Sequence, residues 1–329
     1  MSEGAHLRGL KFFFALIASV GFVQPLFAQD YPTRPVRILV QFSPGGIPDL
    51  AARVLADRLS QAFGKPFIVE NRTGSSGNIA TDFVARSDPD GYTLLFSSSA
   101  PLTMNPALFK KLPFDAGKDF APVSLVGSFE FVLMAAPGFP PNSVSEVVAL
   151  AKPNPNKFNI ASSGYGSEHH LAGELFNIAA GIHLTHVPYK GFAPATVDVM
   201  ANHVELMFGS VPASLPFIRS GKLKPLATSG TAREVTLPNV PTFAEAGYPD
   251  VKVISWVGLL APARTPKSVL ERLTAETVKV VQSSEFRQRL ETVGVGSMPV
   301  GPEALDDRID TDQKFWARVV KEAGIKQVE

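Results

Sequence analysis
Cysteine is absent from the sequence. That excludes disulfides, thiolate metal sites, a cysteine nucleophile and a lipid-modified N-terminal cysteine. Charge of one sign is not in excess: 31 Lys and Arg face 30 Asp and Glu. With no basic stripe, nucleic acid is not an expected partner. His-Glu-x-x-His and Gly-x-Ser-x-Gly are both missing, so neither a zinc-protease helix nor a nucleophile elbow is present. After residue 28 there is also no apolar run long enough to span a membrane.

What remains is ordinary for a globular chain: 329 residues, 45% apolar and 19% charged, enough for a large core and two lobes. Residues 1–28 have the layout of a secretory signal. Arg8 and Lys11 precede the apolar stretch Phe12 to Val23, which ends near Leu26-Phe27-Ala28. Without that segment Lys and Arg fall from 31 to 29 and Asp and Glu from 30 to 29, leaving a formally neutral chain. An exported, periplasmic protein is expected, with no cofactor and no metal.

The stretch Phe42-Ser-Pro-Gly-Gly-Ile-Pro-Asp49 organises the rest. The β-branched run Val36–Val40 before it reads as a buried strand. After it, Leu50, Val54, Leu55, Leu59 and Phe63 recur at helical spacing. Gly45 and Gly46 permit a sharp turn and leave a ligand room to approach. Asp49 occupies the expected N-cap position. The free N–H groups of a helix start form an anion site without any basic side chain. Neither the Gly-Lys-Ser/Thr of a Walker loop nor Gly-x-Gly-x-x-Gly is present.

Further strands are expected at 67–70 and 92–96, with a helix over 79–87 between them. Strands alternating with helices imply a parallel sheet whose ligands bind beyond the carboxyl ends of the strands. The Gly45 turn, 71–78 and Ser97–Ser99 all fall at that edge. Two long extended passages, 120–137 and 251–261, read as crossings between lobes. Between them the opening pattern repeats: a strand at 157–161, the polar glycine loop Ser162–Ser167, and a helix over 170–180. Three strands follow, at 184–188, 204–208 and 223–229. Ser143-Val-Ser-Glu146 is a capping box, and 266–283 and 303–322 are long amphipathic helices. The expected fold is thus α/β with two lobes and two hinge crossings: lobe 1 from 29–130 plus 253–329, lobe 2 from 131–252. Such proteins close on a ligand held in the cleft.

Several residues carry two readings. Asp49 is a structural cap or an acceptor for a ligand donor. His169 and His170 suggest metal, yet lack the spacing and partners for it; His170 is expected to brace its loop. Ser167 would be the nucleophile of a secreted serine hydrolase with His170 as base, but no complete catalytic set assembles. Tyr189 and Lys190 follow a strand and reach the cleft or pack beside it. Asn71-Arg72-Thr73 matches a glycosylation sequon, relevant only in a eukaryotic secretory context.

A set of ordered segments spans essentially all of the chain beyond the leader: Tyr31-Pro-x-Arg-Pro-Val-Arg37, Pro44-Gly-Gly-x-x-Asp49, Val69-Glu-Asn-Arg72, Pro89-Asp-Gly-Tyr-Thr-Leu-Leu95, Asp119-Phe-x-Pro-Val123, Ser162 through Gly166 to His170-Leu171, His186-Val-Pro-Tyr-Lys-Gly191 and Val240-Pro-Thr-x-Ala-Glu-Ala-Gly247. In order and spacing the chain resembles the Bug-type periplasmic solute receptors of tripartite tricarboxylate transporters. The resemblance implies a venus-flytrap, type II-like periplasmic binding protein. It also implies a non-enzymatic receptor that clasps a small carboxylated metabolite and presents it to the membrane components of such a transporter. A sensor role in a two-component system on the same fold is the alternative. By position the clasping loops are Ser43–Asp49, with Ser43, Gly45, Gly46 and Ile47, and Ser162–His170, with Gly164, Tyr165, Gly166 and Ser167; Ser98, Tyr189 and Gly209 complete the candidate site. Ser43 replaces a common family proline and Gly209 a frequent aspartate, so the family's ligands do not transfer directly.

Overall fold
The computed structural model describes residues 31–328, so the leader expected at 1–28 lies outside the described residues. The chain opens with strand β1 (Val36–Val40), helix α1 (Ile47–Phe63), β2 (Phe67–Asn71), α2 (Asn78–Ala85) and β3 (Thr93–Ser98). β1 pairs in parallel with β2 on one side and β3 on the other. Its apolar residues explain its place between two neighbours: Val36, Ile38, Leu39 and Val40 are fully buried. α1 ends at Gly64, whose φ of 65° is the left-handed conformation that stops a helix.

Two short helices follow, α3 (Ser99–Thr103) and α4 (Asn105–Leu108), and then the 16-residue strand β4 (Phe120–Ala135). Next come α5 (Val144–Ala151), β5 (Asn159–Ser162), α6 (Glu168–Ala180), β6 (Thr185–Pro188), α7 (Phe192–Met200), β7 (Leu206–Ser210), α8 (Val211–Arg219) and β8 (Lys224–Thr228). Strand β9 (Ile254–Pro262) follows, and α9 (Lys267–Gln282), α10 (Ser284–Thr292) and α11 (Pro302–Glu322) close the described chain.

The strand order β2-β1-β3-β9-β4-β7-β5-β6, with β8 also on β4, makes one curled sheet of two halves. β4 joins them. From Phe120 to Glu130 it runs antiparallel to β9; from Phe131 onward its partners are β7 and β8. The two long extended passages therefore pair with each other. The sheet is not parallel throughout, as strand–helix alternation suggests: β9 is antiparallel to both β3 and β4, and β4 to β7 and β8. Within each half the alternating units are parallel, β1 with β2 and β3, and β5 with β6 and β7.

Each half has its own core. In the first, Leu39, Leu95, Trp256, Leu260 and Leu305 pack together. Trp256 is fully buried and its indole N–H donates to Asp312 at 2.9 Å, so the ring brings no unpaired polar atom inside. In the second, the Phe243 ring lies 5.5 Å from Phe176 and 5.7 Å from Phe208. Among the described residues no helix is long and apolar enough to cross a membrane.

Candidate functional site
The turn after β1 is held by Asp49. Its carboxylate accepts from the Gly45 N–H at 2.9 Å, from Arg53 Nη2 at 3.0 Å and from Asn71 Nδ2 at 2.8 Å. Burial works to raise its pKa, but the bonds from Arg53, Gly45 and Asn71 outweigh it, and the carboxyl sits below its ordinary value. The sequence places an N-cap at Asp49; the structure places it at Gly46, three residues before an Asp49 that is buried in the first helical turn. The reason is Pro48, which suits the first turn of a helix because it has no N–H to leave unpaired. Asp49 thus reaches back to close the loop, with both oxygens engaged.

Gly45 has a φ of 84° and so needs to be glycine, although a Cβ there would meet open space. Gly46 has an ordinary φ of −73°, and a Cβ would touch Ser43 O at 3.4 Å. The Gly45 N–H is turned onto Asp49 and the Gly46 N–H bonds Ser43 O. The first-turn amides of α1 left without an intrahelical acceptor are those of Ile47 and Asp49, since Pro48 has none. Ser43 stands exposed at the mouth of the turn. The Asn71 amide also donates to Phe42 O at 2.9 Å, so the sequon asparagine is a brace for this turn.

Beneath the turn, Gln41 is buried and donates to Thr81 Oγ1 at 2.8 Å and Ser97 Oγ at 2.9 Å. Ser97 and Ser98 belong to β3 and Ser99 opens α3, where the sequence suggests a loop. The Ser98 hydroxyl is buried without a hydrogen-bond partner.

The turn after β5 is built on histidine. Ser162 Oγ lies 2.6 Å from His186 Nε2 and accepts from Gly164 N at 3.1 Å. Gly164 and Gly166 have φ of 137° and 75°. The Gly166 N–H donates to His170 Nδ1 at 3.1 Å, so that nitrogen carries no proton and Nε2–H faces Glu174, 3.6 Å away. The His170 and His186 rings stack 3.8 Å apart, and burial, with His170 adding to it, pushes His186 down to about 4. His170 does brace its loop, as the sequence suggests.

Ser167 is the N-cap of α6: its Oγ accepts from the His170 N–H at 3.2 Å. The hydrolase reading requires this hydroxyl on the His170 ring. The ring instead serves Gly166, so that pair forms no nucleophile and base. His169 turns away from His170 to Ser163 Oγ, 2.7 Å off, and lies near the Phe131 and Phe192 rings, where burial pushes it down to about 4. Among the described residues no group of three or more His, Cys, Asp or Glu is placed to hold a metal.

Three further candidates sit differently from one another. Tyr165 is 41% exposed and its hydroxyl donates to Lys326 O at 2.8 Å. The Tyr189 hydroxyl donates to Asp198 at 2.6 Å; burial first and then Asp198 push it up to about 12. Gly209 lies inside β7, where a Cβ would overlap Ser214 Oγ and come within 2.8 Å of Met134 and Phe192. Its lack of a side chain is a packing requirement. Sequence reasoning missed His186 and also Glu168, whose Oε1 accepts from Ser99 Oγ at 2.8 Å and Ser255 Oγ at 2.7 Å.

Two glycine turns, each at the carboxyl end of a parallel strand and each opening a helix, thus form the candidate site. Residues 51–325 match the profile of the tripartite tricarboxylate transporter family receptor. The chain belongs to that family. BugT of Bordetella pertussis is 37% identical over 311 residues, covering 94% of this chain and 95% of the relative. A solved structure of Rhodopseudomonas palustris Rpa4515 with adipate superposes with a TM-score of 0.83 at 32% identity, covering 91% of this chain and all of that one. MatC from the same species, with bound malate, gives 0.78 at 31%, covering 88% and 100%. The tripartite tricarboxylate transporter receptors are periplasmic solute-binding proteins of two-lobe α/β fold, and this chain shares that fold.

Proposed function
We propose that the protein is an exported receptor that captures a small carboxylate between the two halves of its sheet. It then delivers that solute to the membrane components of a tripartite tricarboxylate transporter. The observation that carries this reading is the matched pair of helix starts, at Ile47 after β1 and at Glu168 after β5. Each half offers backbone N–H groups and the positive end of a helix to an anion. Among the described residues β4 pairs with strands of both halves and β9 lies beside it in the sheet order; these two strands would be the hinge. The relatives solved with adipate and with malate support a carboxylate as the ligand class.

No lysine or arginine is needed for the anion, which agrees with the near-neutral charge balance. Ordered waters would complete the contacts. A dissociation constant of about 1 µM corresponds to about −8 kcal/mol, within reach of two helix ends and several hydrogen bonds after ordering costs. The leader at 1–28 would direct export to the periplasm.

The test is thermal unfolding of the chain from Gln29 with malate, adipate and other small carboxylates, each beside its amide. At about a hundredfold the dissociation constant a ligand adds about 2.7 kcal/mol, a shift of a few degrees. A shift with an acid and not with its amide supports the reading. No shift with any acid, for protein shown by mass spectrometry to retain no small molecule, overturns it.

A further inference from the structure
Glu168 is the first residue of α6 and the last of the second glycine turn. Its side chain does not serve its own half of the sheet. Oε1 accepts from Ser99, which opens α3 behind β3, and from Ser255 on β9, and the two hydroxyls lie 3.0 Å from each other. One carboxylate oxygen thus gathers two donors from residues 69 and 87 positions away. We propose that Glu168 is a positioning residue, a latch that fixes the second carboxylate-binding turn against the first half of the sheet and so sets how tightly the receptor holds its ligand.

Two neighbours strengthen the case. A Cβ at Gly166 would lie 3.1 Å from Leu108 on α4, so the turn approaches the first half as closely as a glycine allows. The Tyr165 hydroxyl donates to Lys326 O, in the C-terminal segment that is itself pinned to α4 through Val328 N and Leu108 O at 2.8 Å. Residues 165, 166 and 168 therefore all engage the first half. Hydroxyl donors to a carboxylate are among the strong hydrogen bonds. Burial pushes the Glu168 carboxyl up even though both serines favour its charged form. Holding such a group here is costly, which is consistent with a role in geometry.

The energetic consequence follows from population. If only one arrangement of the halves brings both helix starts onto a ligand, the apparent dissociation constant is the intrinsic one divided by the fraction in that arrangement. A latch raises that fraction before any ligand arrives. This step rests on the receptor reading above, whereas the latch itself can be measured without a ligand.

The absence of cysteine makes the measurement clean. Ile68→Cys on β2 and Val197→Cys on α7, both at exposed positions, place one spin label on each half. Pulsed electron resonance then reads the distance between them with no ligand added. The expected result is one narrow distribution in the parent and in Glu168→Gln, whose amide oxygen still accepts from both serines. Glu168→Ala, and independently Ser99→Ala with Ser255→Ala, should broaden it toward longer distances. Titration with malate and adipate should show affinity falling about tenfold in Glu168→Ala and recovering in Glu168→Gln. An unchanged distribution in both the Glu168→Ala and the double serine variants overturns the latch, as does tighter binding by Glu168→Ala. The expected distance changes with no acid binding even in the parent would support the latch and remove the ligand reading instead.

Discussion

Asn71 Nδ2 donates to Asp49 Oδ1 at 2.8 Å and to Phe42 O at 2.9 Å, so the end of β2 grips both sides of the first glycine turn. Asp49→Ala leaves this amide, the Gly45 N–H and Arg53 short of an acceptor. The expected cost is about 1–3 kcal/mol of stability, read as the shift of a urea midpoint. Carboxylate affinity should fall with it, because the α1 start loses its brace. Asn71→Ala should reproduce the affinity loss at a smaller cost in stability.

The glycines separate by cause. Gly45→Ala is strained because its φ is +84°, at a cost of about 1 kcal/mol. Gly46→Ala has ordinary backbone geometry and should cost clearly less than Gly45→Ala, only a few tenths of a kcal/mol. Gly209→Ala must displace Ser214, Met134 or Phe192 and should cost about 1–3 kcal/mol through overpacking. Chemical unfolding of the three variants gives the order; equal costs at 45 and 46 would contradict the backbone assignment.

Glu130 stands where β4 exchanges β9 for β7 and β8. Burial, with Glu234 adding to it, pushes its carboxyl up to about 7. Gly230 makes room for that carboxyl, since a Cβ there would overlap it. The folded state therefore favours the neutral acid. Its contribution to stability is complete below about pH 4.5 and is lost as pH rises through about 7. Because the group is partly exposed, the loss is on the order of 1 kcal/mol. Glu130→Gln should be more stable than the parent at pH 8 and indistinguishable from it at pH 4.5, by urea unfolding at both.

His169 works in the opposite direction. Burial holds it at about 4, below its ordinary 6.5, so its neutral form stabilises the fold above 6.5 and that support is lost as pH falls toward 4. The loss should amount to about 3 kcal/mol. His169→Gln should flatten the acid limb of the stability profile without moving the limb above pH 7.

Much of this architecture is written locally. The capping box at Ser143 is one case: Ser143 Oγ accepts from Glu146 N at 3.2 Å, and the Glu146 carboxylate accepts from Asn142 N at 2.7 Å. β1, its glycine turn and α1 are another, because strand composition and helical spacing lie next to each other in the chain. Strands β4 and β9 show as long extended passages, but their antiparallel pairing does not, since register depends on a partner more than a hundred residues away. The short helices α3 and α4 lack enough turns to display a period. The working parts of the site were least legible. Asp49 reads as an N-cap until Pro48 moves the helix start to Ile47. The partner of Ser162 is His186, 24 residues on, and those of Glu168 are farther still.

The most direct test of the carboxylate clasp is nuclear magnetic resonance of the backbone amides during titration with malate or adipate. Calorimetry on the same samples supplies the dissociation constant. The amides of Ile47 and Asp49, at the start of α1, and those of Glu168 and His169, at the start of α6, should shift together with that single constant. Heat of binding with either set unmoved would contradict a ligand held between two helix starts.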